Sequence, residues 1–459
     1  MQVMAGAAQL RVHRIAQGTL EPIPVTLTVN PDMPDGRFDR AASAVDRDVA
    51  SRQFTLGFER VPAHDGKVYV TNAHGSPDMT IKRIGSLGAL VAALLSGHAG
   101  ADVVTVAQVL PLEGSMAPST RATAEAAELY LRRVNEAGGV NGHTIKVVTI
   151  NGSSNIDTAS QRAAEVVRQQ HPAALLNYYG SSRTEALIKS GVLDAAHTPV
   201  IGAIVSATQL RQRPENRWVF YIRAGVKAEA ERMVRQSVTV GGKRVAVLYQ
   251  RDAFGEDGRD KSTAAMQPLG IKPVLTVPLE TKAMDASSLN KIAETVLNAN
   301  VDVILMFSDS VNVGGFLKTY RERGGTALVT TNSALSADEL VRASSADLAR
   351  GVCVAEVMPA LDKHDTKLTR TFAADMIAVG RPDLAKSTTA LEGYVSARLF
   401  VEVLRKISGP VTGDAVRTAL QTRGSFDLGG FELKYGLSQF EGSQYVDIGI
   451  IGREGRVLN

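Results

Sequence analysis

Cysteine is nearly absent from this 459-residue chain, which contains a single thiol, Cys353. One cysteine excludes any disulfide within the chain, so the fold must be stabilised by large hydrophobic cores, for which 44% hydrophobic residues are sufficient. Cys353 itself lies in the apolar run GVCVAEVM, and this position predicts a buried, unreactive thiol.

Neither sign of charge dominates, since 51 lysines and arginines face 47 aspartates and glutamates. The sequence also lacks a basic cluster with interleaved aromatic residues, the usual signature of a nucleic-acid-binding surface. We therefore expect no nucleic acid among its partners. No apolar run after residue 101 approaches the ~20 residues that a membrane-spanning helix requires.

The sequence motifs of common enzymes are missing as well. The chain contains no G-x-S-x-G elbow, no P-loop, no H-E-x-x-H pair and no C-x-x-C pair. Ser288-x-x-Lys291 is interpreted as a chance match, because it lies just inside a helix that Asp285 is expected to cap. The histidines after residue 101 lie far apart: His143, His171, His197 and His364. We predict no catalytic residue, no metal site, no cofactor and no enzymatic activity.

Residues 79–101, MTIKRIGSLGALVAALLSGHAGA, have the three parts of a secretory signal peptide. A basic pair, KR, follows the methionine, an uncharged run comes next, and the segment ends in small residues of the A-x-A type. We expect translation to begin at Met79, residues 79–101 to be removed, and the mature chain to begin at Asp102 in the periplasm. The alternative is a buried Ala/Leu/Gly helix inside a larger protein.

Residues 1–78 lack a sustained pattern of either helix or strand periodicity. They are rich in Pro, Gly, Asp and Arg, and their one strand-like piece is PVTLTV at 24–29. We interpret 1–78 as a disordered upstream extension that is wrongly assigned to the protein.

Strand-like and helix-like segments alternate from residue 102 onward. Runs such as DVVTVAQV and HTIKVVTI flank the helical pattern TRATAEAAELYLRRVNEA, which ends at Gly138 and Gly139, where a helix terminus favours a left-handed residue. This alternation predicts parallel sheets with helices on both faces. A second series of the same kind begins near residue 229, which predicts two α/β lobes joined by a hinge.

Five segments resemble, in the same order, segments of the leucine/isoleucine/valine-type substrate-binding proteins of ABC importers. They are LRRVNEAGGVNGHTIKVVTIN, YYGSSRTEALIKSGVLDAAHTPVIGAIVSATQL, VLYQRDAFGEDGRDKSTAAMQPLGI, DASSLNKIAETVLNANVDVILM and GGFLKTYRERGG. The resemblance covers essentially all of 102–459 and none of 1–78.

The resemblance implies the type I periplasmic-binding-protein fold, in which a ligand is enclosed between two α/β lobes joined by three hinge crossovers. The first lobe is expected to comprise 102–223 plus 357–435, and the second 224–356 plus 436–459. The ligand site is expected at the carboxyl ends of the strands, where open α/β sheets generally bind ligands.

The loop NYYGSSRTEAL is predicted to bind an anion. A strand ends near Tyr179, Gly180 permits a tight turn, and Ser181 and Ser182 open a helix whose free N–H groups and dipole attract negative charge. The resemblance implies that this loop holds the ligand's carboxylate, with Ser181 at the position of the family's serine. The alternative is a capping box formed by Ser182 and Glu185.

The resemblance implies further ligand contacts in three later loops. Val205 is expected to offer its carbonyl and Ser206 its hydroxyl, with a helix N-cap as the alternative for Ser206. Phe254 is expected to cover the ligand's apolar part, the alternative being a core aromatic residue. Asp309 or Ser310 is expected near another position at which the family contacts its ligand, although Asp309 also fits a helix N-cap.

Two positions depart from the family pattern. Asn332 stands where amino-acid-binding members have an acidic residue that pairs with the ligand's ammonium group, and an amide lacks the charge-assisted strength of that pair. Either Asp309 supplies the charge, or the ligand is an aromatic or other organic acid without an amine. Ser119 near the first loop carries no bulky side chain, which predicts a roomier pocket.

The resemblance implies a monomeric solute-binding protein that captures a small ligand by hinge closure and delivers it to the permease subunits of an ABC importer. A second hypothesis is an extracytoplasmic ligand sensor of the same fold. A third, a hydrolase, is disfavoured because no nucleophile–base pair is apparent.

Overall fold

The structure is a computed structural model, and it describes residues 12–16, 19–23, 102–114, 116–213 and 215–458. The predictions for the signal peptide at 79–101 and for PVTLTV at 24–29 lie outside the described residues.

Residues 1–99 form a unit of their own, within which two strands are described. Strand β1 (Val12–Ala16) pairs antiparallel with β2 (Thr19–Ile23), and two residues separate them, a common hairpin length. These ten residues form a hairpin, and the interpretation of 1–78 as a disordered upstream extension stays a prediction. An isolated two-stranded hairpin is only marginally stable in water, and its sequence signal is correspondingly weak.

Residues 100–459 form the second unit, which contains two separate large sheets. The first sheet has five parallel strands in the order β4-β3-β5-β6-β7. The strands are β3 (Asp102–Leu110), β4 (His143–Asn151), β5 (Ala174–Leu176), β6 (Val200–Ile201) and β7 (Val219–Phe220).

The helices associated with the first sheet come from two distant parts of the chain. They are Ala117–Glu136, Ile156–Gln170, Ser181–Lys189, Val192–Ala195, Thr208–Arg211, Lys367–Ala378, Thr388–Leu404 and Gly413–Arg423. The first helix and the last three pack in one core, which includes Leu131, Phe372 and Phe400, all fully buried. The other four pack in a second core, which includes Val167 and Leu187. The chain thus leaves this lobe and returns to it, as the two-lobe prediction requires.

The second sheet has seven strands in the order β16-β15-β12-β11-β10-β8-β9. The five strands β12, β11, β10, β8 and β9 are parallel to one another. The parallel strands are β8 (Val245–Gln250), β9 (Leu275–Leu279), β10 (Val303–Phe307), β11 (Leu328–Thr331) and β12 (Cys353–Glu356). The antiparallel strands are β15 (Asp447–Ile451) and β16 (Val457–Leu458). Strands β13 (Ser425–Asp427) and β14 (Glu432–Lys434) form a separate hairpin.

Helices lie on both faces of the second sheet. They are Val226–Thr239, Ala253–Met266, Ala286–Asn298, Ser310–Glu322, Ala337–Ala343 and Ala346–Ala349, and short 3-10 turns at Gln267–Leu269 and Leu384–Lys386 complete the described helical structure. Phe316 and Leu317 are buried in one of its cores and Met233 in the other. No helix in the described ranges is both long and apolar enough to cross a membrane.

Several local predictions are confirmed. The helix that begins at Ala117 ends where Gly138 and Gly139 adopt φ values of 100° and 76°. Asp285 accepts the Ser288 N–H and caps its helix, and Cys353 is buried at 2% exposure. Burial raises the pKa of Cys353, in keeping with an unreactive thiol.

The residues at which the chain crosses between the lobes stay a prediction. Contacts near the third predicted crossover, at residues 435–436, differ from that prediction. Phe440 was expected in the second lobe, but its ring lies 5.4 Å from that of Phe220 in the first-lobe core. Tyr221 donates its N–H to the Phe440 carbonyl and accepts from the Gly442 N–H, so this backbone stays with the first lobe beyond the predicted crossover.

We expect Gly393→Ala to destabilise the first lobe. Gly393 lies where the helices Ala117–Glu136 and Thr388–Leu404 pack together, and a Cβ there would meet the Thr123 carbonyl oxygen at 1.9 Å. A loss of about 1–3 kcal/mol is expected by chemical denaturation, although Gly→Ala in a helix otherwise stabilises. Gly436→Ala, whose Cβ would have its nearest neighbour at 3.7 Å, is the control. Equal stability of the two variants would contradict this close packing.

Candidate functional site

The predicted anion loop follows β5 at the carboxyl edge of the first sheet. Gly180, with φ of 93°, is the residue before the helix Ser181–Lys189, and no side chain caps that helix. Ser181 is 9% exposed, and its hydroxyl oxygen accepts the Ala207 N–H at 3.4 Å. The turn therefore brings a serine hydroxyl to the uncapped, positive end of a helix.

The capping-box alternative for this helix is wrong. Ser182 lies inside the first turn and caps nothing, because Gly180 already occupies the position before the helix. The carboxylate of Glu185 instead pairs with Lys189 at 3.0 Å and Arg213 at 2.7 Å.

The second predicted loop lies beside the first. Tyr179 forms a parallel bridge with Ile204, which extends the β5–β6 pairing into both loops. The Val205 carbonyl accepts two N–H groups of Arg211, one at 3.1 Å, which occupy both of its lone pairs. The role of Val205 toward a ligand stays a prediction, and so does that of the nearby Ser206, 6% exposed.

Ser206 does not cap a helix, because Ala207 is the residue before Thr208–Arg211 and that helix has no side-chain cap. Its carbonyl accepts the Val226 N–H at 2.8 Å, where the chain enters the second lobe. The loop is therefore fixed at the crossover, and its hydroxyl remains a candidate contact.

On the second lobe, Phe254 and Asp309 begin or precede helices at the carboxyl edge of the sheet. The Phe254 N–H donates to Asp252, and the Asp309 carboxylate accepts the Val311 and Asn312 N–H groups, both at 2.9 Å. The N-cap reading of Asp309 is thus confirmed. Burial raises the pKa of Asp309, and its two N–H donors oppose that rise.

Asn332 follows β11 and is fully buried. Its amide donates to the carbonyls of Met306 and Ser308, at 3.3 and 3.2 Å, and accepts the Ala334 N–H at 2.6 Å. The side chain thereby fixes the loop backbone. Its predicted role near a ligand's ammonium group stays a prediction.

The two lobes contact each other around these loops. The Ser119 hydroxyl bonds to the carboxylate of Glu339, and the Thr208 N–H donates to the carboxylate of Asp257. The helix that starts at Ser181 also contacts the helix that starts at Ala253. These contacts bring the Ser119 and Ser181 segments of the first lobe against the second lobe, and Ser119 serves here as a lobe–lobe contact. That the predicted residues of both lobes line one ligand cleft stays a prediction.

A buried charge cluster at the first crossover was missed by the sequence predictions. The Arg223 guanidinium, 1% exposed, lies 3.3 Å from both carboxylate oxygens of Glu392, 3.9 Å from Glu229 and in hydrogen-bond contact with the Ser333 hydroxyl. Burial raises the pKa of Glu392, whereas Arg223 lowers it. A charged residue inside the apolar run WVFYIRAG was the available signal.

Tyr179 of the anion loop interacts electrostatically with Arg223 and Glu392 of this cluster. Burial raises the pKa of its phenol to about 12; Glu339 adds to the rise, while Arg223 and Arg183 oppose it. The phenol is therefore neutral at ordinary pH and available as a hydrogen-bond donor. The described residues contain no group of three His, Cys, Asp or Glu side chains placed to hold a metal.

A protein-family comparison matches residues 103–447 to the family described as periplasmic binding protein. A similar curated protein is the amino acid binding protein of Pseudomonas aeruginosa, 27% identical over 261 residues, covering 54% of this chain and 64% of that protein. Another is Leu/Ile/Val-binding protein homolog 7 of Brucella suis, 24% identical over 350 residues, covering 72% of this chain and 84% of that protein.

Among solved structures, a substrate-binding periplasmic protein from Ralstonia solanacearum aligns with a TM-score of 0.71 and 30% identity, covering 77% of this chain and 99% of that one. A branched-chain amino acid ABC transporter protein from Thermus thermophilus with bound valine has a TM-score of 0.69, 19% identity and coverages of 78% and 95%. A solute binding protein from Rhodopseudomonas palustris in complex with p-hydroxybenzoic acid has a TM-score of 0.68 and 18% identity, covering 78% of this chain and 95% of that one. The last two share the fold alone.

We expect the Tyr179 phenol to ionise near pH 12 instead of near its ordinary 10. Because the pKa is raised in the folded protein, the stability it contributes is present below pH 10 and is lost as pH rises toward 12. The ultraviolet tyrosinate signal of the wild type minus that of Tyr179→Phe isolates this ionisation from those of other tyrosines. A difference centred near pH 10 would contradict the raised pKa.

Proposed function

The chain belongs to the periplasmic binding protein family, and we propose that it is an exported solute-binding protein that captures a small carboxylate-bearing ligand between its two lobes. The family and the two-lobe α/β fold class confirm the expectations drawn from the sequence. That family consists of solute-binding proteins, and the proposal includes the absence of catalysis.

The observation that carries the proposal is the uncapped helix start at Ser181. Its first N–H groups have no side-chain partner, and the Ser181 hydroxyl is directed to the adjacent loop at Ala207. A carboxylate placed there accepts N–H and O–H donors at the positive end of a helix. The second-lobe helix that carries Phe254 contacts this helix across the cleft, so it can cover the remainder of the ligand.

Two ligand classes fit this arrangement. The names of the similar proteins point to amino acids, and the structural neighbours bind valine in one case and p-hydroxybenzoic acid in another. Both ligands carry a carboxylate, and they differ in the ammonium group. Two second-lobe carboxylates are candidates to receive an ammonium group, Asp309 and Glu339. Both already accept hydrogen bonds at a helix start, and Glu339 in addition contacts Ser119 of the first lobe and raises the pKa of Tyr179.

The proposed mechanism is hinge closure. The ligand first binds the loops of one lobe, and closure then adds the contacts of the other and excludes water. The Ser119–Glu339 and Thr208–Asp257 contacts between the lobes stabilise the closed arrangement. The closed protein then delivers its ligand to the permease subunits of an ABC importer. Unchanged uptake of the identified ligand by cells lacking this protein would contradict that last step.

We expect Ser181→Ala to weaken ligand binding roughly 10- to 100-fold, the cost of losing one hydrogen bond to a charged group. A thermal-shift screen with leucine, isoleucine, valine, benzoate and 4-hydroxybenzoate identifies the ligand, since saturation at ~100 times Kd adds about 2.7 kcal/mol of stability. Titration calorimetry then compares the variants. Ser190→Ala, at the opposite end of the same helix, is the control. Unaltered affinity in Ser181→Ala would remove Ser181 from the site.

We further propose that residues 79–101 direct export and that the mature periplasmic chain begins at Asp102. The basic pair, the apolar run and the small residues at the end of that segment support this. Intact mass spectrometry of the protein recovered from a periplasmic extract is expected to give the mass of 102–459. Recovery of the chain only from the cytoplasm, with 79–101 still attached, would contradict export.

A further inference from the structure

Arg183 lies beside the anion loop and was not among the predicted ligand residues. It is the third residue of the helix that begins at Ser181, and its partly buried side chain folds back over Gly180. A Cβ on Gly180 would meet Nη1 of Arg183 at 2.9 Å. Nη2 donates to the Ser154 carbonyl at 2.5 Å, which holds the guanidinium between two loops at the carboxyl edge of the sheet.

No carboxylate in the described part of the chain pairs with Arg183. Its Nε is buried without a hydrogen-bond partner, and the same holds for the hydroxyl of Tyr178, a side chain only 1% exposed. Burial lowers the pKa of Arg183, and the ionisable groups that oppose this shift are the phenols of Tyr179 and Tyr178. An arginine keeps its charge in such surroundings, so the positive charge stays uncompensated.

The position of this charge is unfavourable in a protein without ligand. The start of a helix carries a partial positive charge, and a cation in the first turn is repelled by it. The first turn of this helix contains no acidic residue that would offset the repulsion. A purely structural bond to the Ser154 carbonyl needs only a neutral donor such as glutamine. The charge therefore requires another explanation, and an anion in the cleft provides one.

We propose that Arg183 is a specificity-determining residue that binds the anionic group of the ligand together with Ser181 and the helix N–H groups. This inference rests on the proposed function and narrows its ligand class. The guanidinium is a planar, bidentate donor for carboxylates, so the site selects an ionised acid over the amide or ester of the same acid. The affinity then depends on a full negative charge on the group of the ligand that Arg183 binds.

The test compares acids with their amides: leucine with leucinamide, benzoate with benzamide, and 4-hydroxybenzoate with 4-hydroxybenzamide. The wild-type protein is expected to prefer the acid, and Arg183→Gln to lose roughly 10- to 100-fold in affinity for the acid with little change for the amide. Arg183→Lys is expected to fall between the two, because it keeps the charge and loses the bidentate geometry.

Arg162→Gln is the matched control. Arg162 is exposed on the same lobe, and its Nη1 also donates to a main-chain carbonyl, that of Asn151, at 2.5 Å. It is expected to leave the acid-to-amide ratio unchanged. Circular dichroism of all variants verifies that they are folded before affinities are compared.

The outcomes separate this inference from the proposed function. An unchanged acid-to-amide ratio in Arg183→Gln overturns the role of Arg183 and leaves ligand capture intact. If no compound binds the wild type, the proposed ligand classes fail, and acetate then serves as the probe. At constant ionic strength against chloride, acetate is expected to raise the melting temperature of the wild type more than that of Arg183→Gln. Equal shifts overturn the inference.

Discussion

The arrangement of the two lobes depends on one buried cation, Arg223. Burying a guanidinium is costly unless its charge is matched, and here the match comes from Glu392 of the first lobe, Glu229 of the second, and the hydroxyl of Ser333. Arg211, equally buried, donates to the carbonyl of Arg223 at 2.9 Å and thereby holds the crossover backbone. Removing either partner leaves an unpaired buried charge, so few geometries of this crossover are acceptable. The loops that carry Ser333 and Val205 are held to it, the first directly and the second through Arg211.

The two lobes carry charges of opposite sign where they face each other. The wall on the first lobe is positive, because the helix start at Ser181 and the guanidinium of Arg183 lie side by side. On the second lobe, the carboxylate of Glu339 meets the first lobe at Ser119. Under the proposed function, a zwitterion would place its carboxylate beside Ser181 and its ammonium group toward Glu339. An amine-free acid would use only the first of these positions, and its remainder would contact the Tyr179 hydroxyl and apolar groups. The carboxylate is the feature that both classes share.

Much of the fold followed from the sequence because its signals are local. Alternating apolar runs and helical patterns predicted the two α/β series, and Gly138 and Asp285 predicted where helices end and begin. The Ser182 cap failed because Gly180 adopts a positive φ and is itself the N-cap, so the helix starts two residues earlier. Arg223 was missed for a different reason. Its partner Glu392 lies 169 residues away, and no pattern within one segment reveals such a pair.

The predicted ligand residues differ in how many of their polar groups are already hydrogen-bonded within the fold. Val205 and Asn332 were proposed for groups that the fold already uses, a carbonyl occupied by Arg211 and an amide bound to three backbone groups. Buried polar groups are hydrogen-bonded in native proteins, and the Val205 carbonyl has no lone pair left for a ligand. The Asn332 oxygen accepts one N–H and keeps a second lone pair, so its ligand role stays a prediction. Recognition must then come from groups that the fold leaves unsatisfied. Among the described residues, such groups include the helix N–H groups after Gly180, the uncompensated charge of Arg183 and the hydroxyl of Tyr178.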